Sequence, residues 1–276
     1  MFINHLLKNN PYLISNKPFM YSQCLKTSSR TVLKNGFVKL IDCMPKQIPF
    51  ESKVMGCDYA IVQAARVSYA QGTKDIETDS KLIKYLYKNK HTSPFEMVKF
   101  KFHVKAPIFV ARQWFRHRMG NYNEISGRYT ILPNEIYIPS KVSSQSKENK
   151  QLSSNDDLLK DENINEHMDD YIKGANNQFN QYKKLLKIGV SRETARIALP
   201  LNMFTEFYFC IDLHNLLNFI KLRNSWNAQY EIKEYACAIE DIISPLCPIT
   251  MEAYKEYKTV TLTNAEYQKL MKIDKK

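Results

Sequence analysis

The chain predicts an α+β fold, a single domain in which a mixed or antiparallel sheet carries packed helices. A period-two alternation spans residues 97–106, and helical stripes fill most of the chain beyond residue 171. Strands early and helices late argue against a doubly wound sheet, which would interleave them. With 276 residues, 44% of them apolar, there is material for a substantial core. No unbroken apolar run reaches the roughly 18 residues that suggest a membrane span, so a soluble protein is expected.

Taken in order, residues 1–30 read as a loosely organised N-terminal extension. Residues 31–41 read as two short strands around Asn35-Gly36, a favoured two-residue turn. Asp58 is placed to cap a helix through residues 60–67, and Thr78 to cap one containing Leu82, Ile83, Tyr85 and Leu86. In the 97–106 strand Val98, Phe100, Phe102 and Val104 face one way and Lys99, Lys101, His103 and Lys105 the other. His103 therefore reads as a surface residue rather than a ligand. Pro107 suits the first position of a helix over 107–118, with Val110, Ala111 and Trp114 as its apolar stripe and Gly120 as its end. On that helix Gln113, Arg116 and His117 share a face.

Residues 141–170 are polar, contain no Phe, Tyr or Trp, and read as a mobile surface insertion. Helices are then expected over 171–188, from a Ser191 cap to before Pro200, from an Asp212 cap to about Leu222, and over 228–243. In the last, Ile232, Tyr235, Ala236, Ile239, Ile242 and Ile243 make the core stripe. The domain runs over 31–262, with a charged tail at 263–276.

The formal charge of +12 fits an anionic partner. Half of that excess lies in residues 1–41, which hold Lys8, Lys17, Lys26, Arg30, Lys34 and Lys39 and no acid. The remainder is too modest to favour nucleic acid over phosphorylated small molecules. Cys24, Cys43, Cys57, Cys210, Cys237 and Cys247 form no C-x-x-C pair, so a reducing compartment is the default and the cytoplasm is the expected location. The acid-free N-terminus also suits an organelle transit peptide, though it is not rich in Arg and an ordinary extension is the stronger reading.

Chemistry concentrates in residues 116–128, where Arg116, His117, Arg118, Glu124, Ser126 and Arg128 stand together. Guanidinium forks match phosphate and carboxylate oxygens two at a time, and Glu124 and Ser126 can orient a base or sugar. The plain alternative is a solvated basic turn. Elsewhere, none of the seven glycines falls into a G-x-G-x-x-G or Walker spacing. There is no H-E-x-x-H and no acidic calcium loop, so no metal is implied. Ser126 lies outside a G-x-S-x-G elbow, which leaves a hydrolase triad unsupported.

Arg116-His117-Arg118, seven residues and then Ser126 resemble the R-H-R-x7-S signature of the flavin-dependent thymidylate synthases. Similar text surrounds it at residues 65–69 (Ala-Arg-Val-Ser-Tyr), 91–96 (His-Thr-Ser-Pro-Phe-Glu), 106–115, 191–196, 222–223 and 228–232. The resemblance covers roughly residues 36–262, with 141–170 as an insertion-like gap. It implies a homotetramer of α+β subunits with FAD at interfacial active sites. It also implies the conversion of dUMP to dTMP, with methylenetetrahydrofolate as carbon donor and NADPH as reductant through the flavin. These ligands are anionic, which suits an arginine-rich motif.

By resemblance, Gln113, Trp114, Phe115, Arg116, Glu124, Ser126, Gly127, Arg128, Arg196 and Arg223 are the dUMP contacts, contributed by different subunits. Arg223 is assigned the catalytic role: a guanidinium beside the uracil favours ionisation at its N3 and raises electron density at C5. Its alternative is a cation at a helix C-terminus. The FAD contacts are Ser93, Arg116, His117, Arg118, Glu124, Asp212, Leu213, His214 and Asn218, with Ser68, His91, Glu96 and Asn227 as weaker candidates. His214 and Asn218 share a helix face. Ser126 has no neighbouring base to activate it, so a hydrogen bond to dUMP is preferred to a nucleophilic role.

The chain departs from the family's usual text at Asn121 (serine in many members), Asn227 (histidine), and Asp212 and His214 (asparagine and arginine). An Asp near an anionic cofactor is unfavourable unless it meets the adenine or ribose side. The alternatives are another flavin- and folate-dependent methyltransferase, an inactive relative, or a basic nucleic-acid-binding protein. A cysteine-dependent thymidylate synthase lacks support, because no cysteine lies in a Pro-Cys-His setting and Cys247 reads as structural.

Overall fold

The computed structural model describes residues 28–45, 56–70, 72–147, 149–154, 157–158 and 162–257. Most of the expected N-terminal extension, Cys24 and the tail at 263–276 lie outside the described residues.

Five strands form one antiparallel sheet in the order β1-β2-β3-β5-β4. They are β1 (Ser29–Val32), β2 (Gly36–Met44), β3 (Lys99–Pro107), β4 (Asn121–Glu124) and β5 (Phe204–Asp212). The helices are α1 (Asp58–Arg66), α2 (Ile76–Lys88), α3 (Ser93–Glu96), α4 (Ile108–Trp114), α5 (Glu162–Lys187), α6 (Arg192–Ala195), α7 (Leu213–Arg223), α8 (Tyr230–Ile243) and α9 (Pro248–Tyr257). Short 3-10 turns follow α1 (Val67–Tyr69) and α6 (Arg196–Ala198).

The expected alternation of β3 holds. Phe100, Phe102 and Val104 are fully buried, and Phe207, Phe209 and Ile211 of β5 lie beside them on the same face. Helices α4, α7 and α8 pack over that face. The opposite face carries Lys39, Lys101, His103, Lys105, Glu206, Tyr208 and Cys210, all exposed or half-buried. His103 is half-buried there, stacked on Tyr208 and 3.0 Å from Glu206 Oε2. A smaller core beneath α5 gathers Phe179, Tyr182, Ala195 and Met203. The expected stripe of α8 is buried throughout.

Several expectations are corrected. The strand β5 was not foreseen, and it lies between β3 and β4, so strands do not simply precede helices. The first hairpin turns over Leu33, Lys34 and Asn35, with Leu33 and Lys34 at positive φ, while Gly36 pairs with Val32 inside the ladder. Gly36 is needed for close packing rather than for the turn, because a Cβ there would lie 2.0 Å from Tyr235 Oη. Asp58 does not cap its own helix. It is buried and accepts from Ile249 N (2.8 Å), Thr250 N (3.1 Å) and Thr250 Oγ1 (2.5 Å), capping the first turn of α9. Asp75, not Thr78, caps α2, and Thr78 N donates to it at 2.9 Å.

Pro107 ends β3, and α4 stops at Trp114, so Gln113, Arg116 and His117 do not share a helix face. Gly120 sits instead where a Cβ would meet Phe209 at 2.5 Å. The helix expected over 171–188 begins earlier, at Glu162, with residues 165–167 exposed; before it, Gln145 pairs with Ser153 and Leu158 N donates to Val142 O at 2.7 Å. Composition marked that stretch as unable to form a core, but a helix anchored at its C-terminal end can extend into solvent.

Candidate active site

The residues singled out in the sequence fall into three groups. The first surrounds the end of α4. The Trp114 indole is fully buried among Phe207, Phe209, Phe219 and Tyr235, with ring centroids 4.9–5.7 Å away. The chain then turns sharply, and Tyr122 of β4 fixes the turn from below. Its ring stacks on Phe209 at 5.1 Å, and its hydroxyl lies 2.8 Å from His117 O and 3.3 Å from Trp114 O. Both carbonyls also accept backbone N–H groups in tight turns, Trp114 O from His117 N and His117 O from Gly120 N, so the chain leaves the helical path after Trp114. Arg116 and Arg118 project from this turn, exposed, and join no ion pair among the described residues.

His117 points inward, edge-on to Phe219 at 4.8 Å. The last residue of α7, Arg223, meets it there: Arg223 Nε donates to His117 Nε2 at 2.9 Å, and Nη2 donates to Gln113 O at 3.2 Å. The Gln113 side chain donates in turn to Gln229, the residue preceding α8. Burial, and then the Arg223 charge, hold the His117 imidazole down at about 4, so it is neutral near pH 7. Burial also lowers the pKa of Arg223, which has no carboxylate partner among the described residues. A half-buried guanidinium bonded only to neutral groups is a site for an anion.

The second group follows β4. Its pairing with β5 is prolonged by Ile125 N to Glu206 O at 2.9 Å, and Thr205 Oγ1 donates to Glu124 Oε1 at 2.6 Å. Ser126 then opens a turn whose carbonyl accepts from Tyr129 N and Thr130 N. Gly127 is buried, and a Cβ there would meet Leu132 Cδ1 at 3.1 Å and Arg196 Cδ at 3.2 Å. The stem of Arg196 therefore lies against this turn. Arg128 reaches Glu193 Oε2 at 3.0 Å, and both side chains are exposed.

The third group sits at the far end of β5. Asp212 caps α7: Asn215 N donates to its Oδ1 at 2.9 Å, and Asn215 Nδ2 reaches both carboxylate oxygens. Here Met44, Glu96, Met97, Lys99, Met119, Asp212, His214 and Asn215 line an open hollow of about 440 Å³. Along β5 it stands roughly 20 Å from the Ile125–Glu206 contact, at about 3.3 Å per residue. A hollow of about 490 Å³ on the polar face of α5 contains none of the singled-out residues.

Ser93 opens α3, which packs against α7 and carries Glu96 to the hollow. Asn218 is exposed one turn beyond His214 on α7. Phe115 is half-buried against Tyr122 and Phe207. Ser68, His91 and Asn227 join none of the three groups through a described contact; His91 packs on Tyr85, and Asn227 accepts from Ser225 Oγ. The side chains of Trp114 and Leu213 are fully buried, so either can serve a ligand only through its backbone. Tyr122, Gln229, Thr205 and Glu193 were given no role in the sequence reading. Gln229 and Glu193 lie in family-like text and Tyr122 lies between the signature's arginines and Ser126, but hydrogen bonds to distant groups leave no local pattern.

The family model described as "Thymidylate synthase complementing protein" (Thy1) matches residues 52–249. Among curated proteins, the chain is 51% identical over 226 residues to the flavin-dependent thymidylate synthase of Thermus thermophilus, covering 82% of this chain and 78% of that protein. It is 44% identical over 238 residues to the one from Dictyostelium discoideum, covering 85% and 77%. Among solved structures it resembles a UMP/dUMP methylase, PolB, from Streptomyces cacaoi bound with 5-Br dUMP. The TM-score is 0.69 at 27% identity, over 81% of this chain and 96% of that one.

Proposed function

Since this chain belongs to the Thy1 family of flavin-dependent thymidylate synthases, we propose that its Arg223 acts on the uracil ring of dUMP in the methylation that yields dTMP. The enzyme takes its carbon from methylenetetrahydrofolate and its reducing power from NADPH, with FAD as cofactor. The observation that carries the assignment to Arg223 is its lack of a carboxylate. Its Nε and one Nη2 hydrogen engage neutral acceptors, and the rest of the guanidinium fork is unengaged among the described residues. A uracil that has lost its N3 proton offers that cation the negative charge it lacks. Stabilising the anion makes C5 more nucleophilic, and C5 is where the new carbon attaches.

Around it, Gln113, Phe115 and the backbone of Trp114 form one side of the nucleotide site. Ser126, Gly127, Arg128 and Arg196 form the other, with Arg128 and Arg196 on the phosphate and Ser126 as a hydrogen-bonding group. These two sides meet between subunits of a homotetramer. Support comes from the apolar side chains around the second group: Tyr129 and Ile197 are each 80% exposed and Leu201 60%. No folded monomer gains by leaving such a patch in water.

The residues present fit FAD. Arg116 and Arg118 are exposed cations suited to its diphosphate, and the thioethers of Met44, Met97 and Met119 line a hollow suited to a flat ring. His117, Glu124, His214 and Asn218 supply further polar contacts, and Ser93 and Glu96 approach from α3. Asp212 helps by holding the start of α7 rather than by touching phosphate, which removes the electrostatic objection to an acid at that position. FAD supplies the two-electron reduction; the protein orients, polarises and excludes water. Cys43, Cys57, Cys210, Cys237 and Cys247 form no disulfide among the described residues, which suits a cytoplasmic setting. Cys247 is fully buried with its thiol pushed up by burial, an unsuitable nucleophile.

The test is tritium release from [5-³H]dUMP with FAD, NADPH and methylenetetrahydrofolate. Arg223→Ala should lower it by at least about 100-fold while the flavin's visible absorbance persists. Loss of flavin with retained turnover per bound flavin would sink the assignment. Equal release from labelled UMP would move the reading toward a broader methylase like the Streptomyces cacaoi neighbour.

A further inference from the structure

We propose that His117 is a positioning residue for Arg223: its Nε2 lone pair fixes the guanidinium that meets the nucleotide, so the signature turn and the α7 arginine work as one hydrogen-bonded unit. This rests on the reading that Arg223 faces the uracil.

The two residues are 106 positions apart, yet they meet at 2.9 Å through Nε and Nε2. A guanidinium is planar, with five N–H donors in fixed directions. One bond from Nε and one from Nη2, to His117 and to Gln113 O at 3.2 Å, therefore set both its position and its plane. Without the first bond, the fork can swing about its remaining contact. The residue is itself held: its ring packs edge-on to Phe219 at 4.8 Å, and its backbone carbonyl accepts from the Tyr122 hydroxyl at 2.8 Å. These restraints suit a part that must not move.

The contact also dictates a tautomer. Arg223 Nε is a donor only, so His117 Nε2 must be an acceptor and the ring proton must sit on Nδ1. A protonated or Nε2–H imidazole would oppose two N–H groups. Because burial and the Arg223 charge both suppress protonation, the acceptor form is the stable one near pH 7. Nδ1–H is left as a donor that can serve the cofactor.

The experiment is a double-mutant cycle on the FAD-loaded enzyme, reading dUMP affinity by calorimetry and tritium release from [5-³H]dUMP at saturating FAD. His117→Ala should lower release by about 10- to 100-fold, the size of one charge-assisted hydrogen bond. His117→Gln, whose amide oxygen can take the Nε2 position, should recover most of it. In the Arg223→Ala background, His117→Ala should cost nothing further in dUMP affinity. Independent, additive losses would overturn the proposal. So would ¹⁵N-histidine spectra of the wild-type holoenzyme in which the resonance abolished by His117→Gln reports a protonated Nε2; this measurement decides even if a variant loses flavin. Wild-type protein that released no tritium would instead undo the reading of Arg223.

Discussion

Two turns flank β4, and they are held in opposite ways. Before the strand, residues 115–120 rest on buried rings: the Tyr122 hydroxyl reaches the carbonyls of Trp114 and His117 on either side of Phe115 and Arg116, and His117 locks onto Arg223. After it, the turn opened by Ser126 is fastened by its own backbone, by Gly127 against Arg196, and by an exposed Arg128–Glu193 pair. One chain therefore preorganises the part assigned to chemistry. The part assigned to grip is left at the surface, ringed by exposed apolar side chains that suit a partner subunit. Preorganisation matters most where charge develops during reaction, whereas a phosphate clamp can tighten on assembly and binding.

Arg128→Ala should expose this contrast most clearly. Its guanidinium is exposed, so folding should be unaffected, while the KM for dUMP rises about tenfold or more through loss of a charge-assisted contact. An unchanged KM with a reduced kcat would place Arg128 on the chemical side and erase the division between the turns. Tyr122→Phe tests the other turn. It should lower unfolding free energy by about 1 kcal/mol in denaturant titration and reduce kcat rather than raise KM. A pure KM effect would mean the turn does not shape the reacting centre.

The third prediction concerns pH. In the fold, His117 titrates at about 4, below its unfolded value near 6.5. The unfolded chain then binds the extra proton first, so this contribution to stability is full above pH 6.5 and is lost as pH falls toward 4. The denaturation midpoint of wild type, measured relative to His117→Gln, should fall as pH drops from 7 to 4. Parallel curves would show that His117 is not held neutral. The smallest effect belongs to Glu193→Gln, an exposed pair worth under about 0.5 kcal/mol. A larger loss in thermal unfolding would mean that the second turn is as firmly built as the first.

Legibility in the sequence followed the range of the interaction. The alternation in β3, the Ser191 and Asp212 caps and the stripe of α8 were readable because each depends on neighbours within a few residues. The strand β5 escaped because its pattern is interrupted: Phe204 and Thr205 are both buried, and the outward position between Phe207 and Phe209 is another aromatic, Tyr208. Asp58 looked like a local cap and proved to serve Ile249 and Thr250, nearly two hundred residues away. Gly36 looked like a turn residue and proved to make room for Tyr235.

The site divides along the same line. Residue types and spacing were enough to pick out the signature turn and the Ser126 turn, because the chemistry of anion binding restricts which side chains can do it, whereas Arg223 was singled out only by the resemblance. Their grouping was not encoded locally. Packing of α7 against the turn brought Arg223 to His117, and the register of β4 on β5 carried Gly127 to Arg196 and away from the Asp212 hollow. The order of residues alone was sufficient to specify which groups are present and the period of those elements whose pattern is unbroken. Which of them touch was left to the assembled core, because a hydrogen bond depends on distances set by the whole of the packing and not on separation along the chain.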